Sequence, residues 1–333
     1  MGVIISLFLG VIPAFVYATF VYWLDRYEKE PVILLGGVFI WGAVVAAGGA
    51  FIINTLFGIS VFLVTGDEAA TDFATASISA PLVEETLKGL AVLSVFLAFR
   101  REFDSILDGI VYAGIAALGF AATENSYYIF SYGYQESGVE GVLILACIRN
   151  IIVGWQHPFY TAFIGIGLAV ARLNRNMLVK LAAPVAGWTL AVLTHSFHNT
   201  FAGMAGDLIG DVEGFFLGSM IDWTGWFFMF VLILVAIFRE QHYLKTYLRE
   251  EVTQNIITKQ QYDTACSAFL MSLARMNSLF SGQYGNTHKF YHLCAELAHK
   301  KRQRDAVGEE RGNSVLIRKI QSELAQLSPH VRV

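Results

Sequence analysis

Glu84 and Glu85 stand side by side in the middle of an apolar run, 73–99, with Lys88 one helical turn further on. Residues three and four apart share a helix face, so the ammonium lies over both carboxylates and can hold one of them ionised. Two neighbouring carboxyls in a low dielectric do not both ionise cheaply. The second can then exchange a proton near neutrality, as a general base acting on water must. A buried ion pair that fixes helix packing, or a proton relay in a transporter, would use the same residues. Three more segments offer polar groups: Phe120 to Asn125 carries Glu124 and Asn125, Trp155 to Thr161 carries His157 with Thr161 one turn later, and Thr194 to Asn199 puts His195 and Asn199 on one face with His198 beside them. Such a set can deprotonate water, stabilise an oxyanion and protonate a leaving amine, the three needs of peptide hydrolysis. Glu84 or Glu85 would be the base, and His195 or Asn199 the oxyanion donor. A metal is the other route: Glu124, His157 and His195 would supply the three protein ligands of a catalytic zinc with an open fourth position. The chain contains no HExxH pattern, and no serine or cysteine sits in a recognisable nucleophile context.

The elements that must position these groups are membrane helices. Hydrophobic residues make up 55% of the chain and charged ones 15%, and the mean hydropathy is +0.54, values that a water-soluble domain does not sustain. A helical span takes roughly 20 mostly apolar residues. About seven such stretches are present, near 3–24, 34–57, 73–99, 108–131, 150–171, 179–203 and 219–238. The alternating ten-residue pattern of a membrane barrel is absent, so the expected class is all-α, a polytopic helical bundle. Counted at about 1.5 Å per residue, Glu84, Glu124, His157 and His195 fall at similar depth in the outer half of the bilayer. Ionisable residues are costly there, and four spans that place them at one level point to a shared polar site.

Lysine and arginine collect in alternate loops: Arg26 and Lys29, then Arg100 and Arg101, then Arg172, Arg175 and Lys180, then Arg239 onward. The remaining loops carry Asp67, Glu68 and Asp72, then Glu136 and Glu140, then Asp207, Asp211 and Glu213. The positive-inside rule then puts the N-terminus outside and the C-terminus in the cytoplasm, with the first span a retained anchor. Arg149 reads as a snorkelling interfacial cation and Asp222 with Trp223 as an interfacial anchor, while Gly42, Gly48 and Gly49 permit close helix packing. The expected division is a membrane domain, 1–238, and a small helical cytoplasmic tail, 239–333. The tail holds 14 of the 23 basic and 9 of the 27 acidic residues. Its run Lys300, Lys301, Arg302 and Arg304 reads as a solvated helix face. Cys147, Cys266 and Cys294 indicate neither a disulfide framework nor a zinc ribbon.

Glu84-Glu85-Thr86-Leu87-Lys88 resembles the EExxK motif of the PrsW family of intramembrane proteases, Phe120 to Asn125 resembles its FxxxEN motif, and His157 to Thr161 and His195 to Asn199 resemble its two histidine motifs. The family is similar to a larger group that includes type II CAAX prenyl endopeptidases and bacteriocin-processing enzymes, from which this chain departs at Glu124, where those relatives have histidine. The resemblance covers about 1–238. It implies an intramembrane endopeptidase in a bacterial plasma membrane, cutting a single-span membrane protein near the outer face, with an anti-sigma factor as the associated substrate. Catalytic roles would fall to Glu84, Glu85, Glu124, His157, His195 and Asn199, supported by Lys88, Asn125 and His198. Lipids surround the chain, nucleic acid is no partner, and no tail partner is assigned. A proton-coupled transporter and a non-catalytic receptor or scaffold are the rival classes.

Overall fold

In the computed structural model, which describes residues 1–309 and 312–331, the chain is helical throughout and no strand occurs among the described residues. The side chains of residues 202, 203, 207 and 211 lie outside the description, and with them two of the acids used for orientation, Asp207 and Asp211. The apolar part consists of α1 (Gly2–Leu24), α2 (Val32–Ile40), α3 (Ala47–Thr65), α4 (Glu68–Ala74), α5 (Ala80–Ala98), α6 (Ile106–Tyr128), α7 (Gln135–Cys147), α8 (Gln156–Arg172), α9 (Met177–Ile209) and α10 (Asp211–Tyr247). Wide π-helical turns, Trp41–Ala46, Thr75–Ser79, Ile129–Tyr134 and Ile148–Ile152, interrupt or join these helices. The seven apolar stretches of the sequence are largely helical, 150–171 with a break at Val153–Trp155.

Five helical runs are long and apolar enough to cross a membrane: Gly2–Leu24, Val32–Thr65, Ile106–Arg172, Met177–Gly206 and Val212–Thr253. The third is 67 residues long and takes in α6, α7 and α8. The helix α5 is not among the five: it is 19 residues long and carries Glu84, Glu85 and Lys88, all three of them buried.

Packing follows the rule for lipid, where large apolar chains gain nothing by leaving the solvent and small residues let backbones approach. On α1, Gly2, Ser6, Gly10, Ala14 and Ala18 are buried at four-residue intervals, whereas Val3, Leu7, Phe8 and Phe15 are exposed. That small-residue stripe faces α6, with Gly10 against Ser126. Every residue of α6 from Leu107 to Ala122 is buried, because α1, α5, α8 and the Trp41–Ala46 turn surround it. A Cβ on Gly42 would stand 2.0 Å from the Ala116 carbonyl. Gly42 therefore has the packing role expected of it, but Gly48 has nothing within 4 Å and needs another account.

The expected boundary at 238/239 falls inside α10, which continues as one helix to Tyr247. Beyond it α11 (Arg249–Thr253), α12 (Lys259–Ala265), α13 (Ala268–Phe280), α14 (Tyr284–Val307) and α15 (Asn313–Leu327) enclose a second core that includes Leu244, Leu248, Phe290, Tyr291 and Leu297, and Tyr27 from the loop after α1. The basic run on α14 is not the solvated face expected of it. Lys300 and Lys301 are 2% and 3% exposed. The Lys300 ammonium donates to Asp104 Oδ2 and the Arg101 carbonyl, each at 2.7 Å, and Lys301 donates to Glu250 and Glu251. A buried lysine needs such partners; those of Lys300 dock the tail on the loop between α5 and α6, and those of Lys301 lie within the tail, on α11.

Candidate active site

Glu85 is fully buried and saturated with donors. Lys88 Nζ lies 2.5 Å and His195 Nδ1 3.0 Å from its Oε1, while the Thr161 hydroxyl donates to Oε2 at 2.8 Å. Glu84, one residue earlier, is the opposite case. Its Oε2 is buried without a hydrogen-bond partner, 3.8 Å from Lys88 Nζ and 4.0 Å from His195 Nε2. The sequence placed the two acids together, and the surroundings separate them into a held carboxylate and a free one. Two tryptophans fix α5 between them: the Trp41 indole donates to the Leu87 carbonyl and the Trp188 indole to the Thr86 hydroxyl, each at 3.0 Å.

Glu124 reaches the same cluster from α6. Its Oε2 lies 2.8 Å from His157 Nε2 and 2.5 Å from Arg149. The other nitrogen of His157, Nδ1, is 3.3 Å from Lys88 Nζ. The rings of His157 and His195 meet edge to face at 5.6 Å, and Tyr160 stacks on His195 at 4.8 Å. Asn125 sits behind Glu124, accepting from Arg149 Nε at 2.6 Å and donating to Asn150 at 3.2 Å. Asn199 donates one amide hydrogen to the Ala76 carbonyl at 2.8 Å, inside the π turn before α5, which leaves a second N–H.

These groups face a cavity of about 900 Å³ lined by Glu84, Glu124, His157, Tyr160, His195 and Asn199 and continuing past Tyr128 and Tyr132. The expected convergence of four segments is therefore present, with Glu85 and Lys88 immediately behind the cavity wall. His198 also lines the cavity and meets Asp222 at 3.0 Å.

Two residues have partners that sequence reasoning assigned elsewhere. Asp222 is 9% exposed and accepts from Gln156 at 2.6 Å as well as meeting His198, so it is an internal brace rather than an interfacial anchor. Arg149 turns inward onto Glu124, both side chains half-buried, and its guanidinium lies 4.1 Å over the Tyr128 ring, inside the roughly 6 Å reach of a cation–π contact. Gln156, Tyr160 and Asn150 carried no signal as isolated polar residues, although Gln156 adjoins the histidine segment already singled out.

Lys88 pairs with Glu85 and Arg149 with Glu124, and Glu84 is the third acid of the cluster. Ligand atoms of Glu84, His157 and His195 lie within 4.8 Å of one another. Metal-binding histidines characteristically give their second ring nitrogen to a carboxylate, and both do so here, His195 to Glu85 and His157 to Glu124. With the partnerless Oε2 of Glu84 and Nε2 of His195, this donor set fits a divalent metal ion, His157 Nδ1 exchanging Lys88 Nζ, 3.3 Å away, for the metal. The expected trio had Glu124 in the place that Glu84 takes in this group; Glu124 is engaged by Arg149 and His157.

No solved structure matches the chain. Among curated proteins it is similar to protease PrsW of Bacillus subtilis (strain 168), 27% identical over 151 residues that make up 45% of this chain and 65% of that protein. It is similar to protease PrsW of Geobacillus kaustophilus (strain HTA426), 29% identical over 44% of this chain and 62% of that protein. To protease PrsW of Clostridioides difficile (strain 630) it is 34% identical over 37% of this chain and 50% of that protein. The chain thus spans less than two thirds of the length of these curated relatives. The family model for PrsW family intramembrane metalloproteases matches residues 30–237, more than half of the chain and all four polar segments of the cavity, and the chain belongs to that family.

Proposed function

We propose that the chain is an intramembrane metallo-endopeptidase that hydrolyses a peptide bond of a single-span membrane protein at the cavity between α3, α5, α6, α8 and α9. The observation that carries this reading is the convergence of Glu84, His157 and His195 with each histidine held by its own carboxylate. Glu84, His157 and His195 would hold the metal, with zinc the ion best matched to two imidazoles and a carboxylate. The bound metal would supply Lewis acidity, lowering the pKa of water and polarising the scissile carbonyl.

The chain's own groups do the rest. Glu85 and Glu124 fix the tautomer and direction of His195 and His157. A carboxylate has two oxygens, so Glu84 can bind with one and receive the proton of the attacking water with the other, then return it to the leaving amine. The spare N–H of Asn199 faces the cavity as an oxyanion donor. Lys88 keeps Glu85 ionised, and the surrounding helices exclude bulk water. The depth of the cluster supports a cut in the outer half of a bacterial plasma membrane, and the resemblance noted above supports an anti-sigma factor as substrate.

The test is co-expression with a panel of tagged single-span proteins, an anti-sigma factor among them, followed by blotting for a shortened product and zinc quantification in the purified protein. A product that disappears with Glu84→Ala, and zinc that disappears with His157→Ala, would support the reading. Cleavage undiminished in Glu84→Ala would overturn it, and proton-coupled solute uptake without cleavage would favour a transporter.

A further inference from the structure

The helix α13 carries two apolar stripes. Met271, Ala274 and Ser278 are buried in the tail core. Phe269, Leu273, Met276 and Phe280, spaced four, three and four apart, form a second stripe that is exposed, with Leu270 and Leu279 flanking it. Phe269 is 72% and Phe280 89% exposed. Such a row on an aqueous surface is a standing cost, and a contiguous exposed apolar face marks a contact site.

Its position says what covers it. Tyr27, three residues beyond the end of α1, is buried in the same cluster as Met271 and Ala274. Three residues reach at most about 10 Å, so α13 lies beside the level at which α1 leaves the apolar layer. At that level α1 exposes Trp23, an amphipathic aromatic of the kind found at a membrane–water boundary, with Phe20 one turn before it. The Arg26 guanidinium lies 4.0 Å over the Trp23 ring, and Lys29 lies over Tyr22. An apolar stripe continuous with lipid-facing aromatics and bordered by cations is the pattern of an interfacial helix on anionic lipid.

We propose that α13 lies in the surface of the same bilayer that holds α1, with Phe269, Leu273, Met276 and Phe280 in the boundary between headgroups and acyl chains, so that the tail is fastened to the membrane by a helix as well as by Lys300 and Asp104. The inference does not depend on proteolysis. A lipid surface, rather than a second copy or a soluble protein, is the occupant that continuity with α1 selects.

The experiment uses the full chain with Cys147→Ser, a spin label at Phe280→Cys, and reconstitution into vesicles of phosphatidylcholine and phosphatidylglycerol. The position is exposed, so the label leaves the core intact. The expected result is a label that meets oxygen readily and a water-soluble nickel chelate several-fold less than the same spin label free in water does. Nickel access equal to that of the free label would overturn the proposal. Strong dipolar broadening between labels at 280 would overturn it also, in favour of a second copy. Replacing the anionic lipid by phosphatidylcholine alone should raise nickel access at 280, and no change there would remove the role given to Arg26 and Lys29.

Discussion

Two buried clusters of this protein are made from the same side chains and do different things. Within the membrane, Glu84, Glu85 and Glu124 surround Lys88, His157 and His195; at the base of the membrane domain, Glu28 and Asp104 surround His299 and Lys300. Both clusters include a group of carboxylate and imidazole atoms close enough to share an ion, Glu84, His157 and His195 in one and Glu28, Asp104 and His299 in the other. What separates them is access. The first lines a cavity of about 900 Å³ with Glu84, Glu124, His157 and His195. The second lies between the tail and two loops, and its ring charge comes from the chain: burial works against the His299 cation, but Asp104 and Glu28 outweigh it and carry the pKa to about 10. Residue type therefore does not mark a candidate catalytic site; a cavity large enough for a substrate does.

Breaking that distinction starts at Glu84. Glu84→Ala should reduce cleavage by about 10²–10⁴-fold, the usual worth of a proton-transfer group, while the unfolding midpoint holds or rises, since no hydrogen bond to Oε2 is lost. A variant that loses its fold instead would make Glu84 a structural acid like Asp104.

Glu85→Ala is expected to do both kinds of damage. It strands Lys88 in the bilayer, which costs about 3–5 kcal/mol by the general behaviour of buried pairs, and it frees His195 from its orienting carboxylate. Comparing denaturant midpoints of Glu84→Ala and Glu85→Ala measures the contrast directly; equal midpoints would erase it.

A smaller effect belongs to Arg149. Arg149→Gln should lower metal affinity by about 10–100-fold, the scale seen when a group behind a metal ligand is lost, because Glu124 then holds His157 less firmly. Zinc affinity by competition with a chelator reads this, and an unchanged value would return Arg149 to the interface.

The smallest effect concerns the lower cluster. His299 has a folded-state pKa above its unfolded value of about 6.5, so its contribution to tail docking is complete below that pH. It is lost as pH rises through about 10. Limited proteolysis of the tail should accelerate across that window in the native chain and show a flatter profile in His299→Gln.

Much of the architecture is visible in local pattern. Apolar runs long enough for lipid, small residues at every fourth position of α1, and the spacing of Glu84, Glu85 and Lys88 all depend on neighbours within one helix. The four polar segments could be grouped because depth in a bilayer is counted along the chain. The lower cluster was invisible for the converse reason. Glu28, Asp104 and His299 come from two short loops and a distant tail helix, none with a periodicity of its own, and the run Lys300 to Arg304 looks solvated until its acceptors are found on other segments.

The amino-acid sequence by itself determined that this protein is a membrane helix bundle and which residue types meet at one depth, since helix period and the cost of charge in lipid act locally. Only the tertiary structure decided that Glu85 is held and Glu84 free, that Arg149 and Asp222 turn inward, and that the tail docks on Asp104. Those outcomes rest on partners such as His195, 110 residues from Glu85, and Lys300, 196 residues from Asp104. Packing alone brings such pairs together, and it is the pairing, more than the residue, that assigns each charge its role.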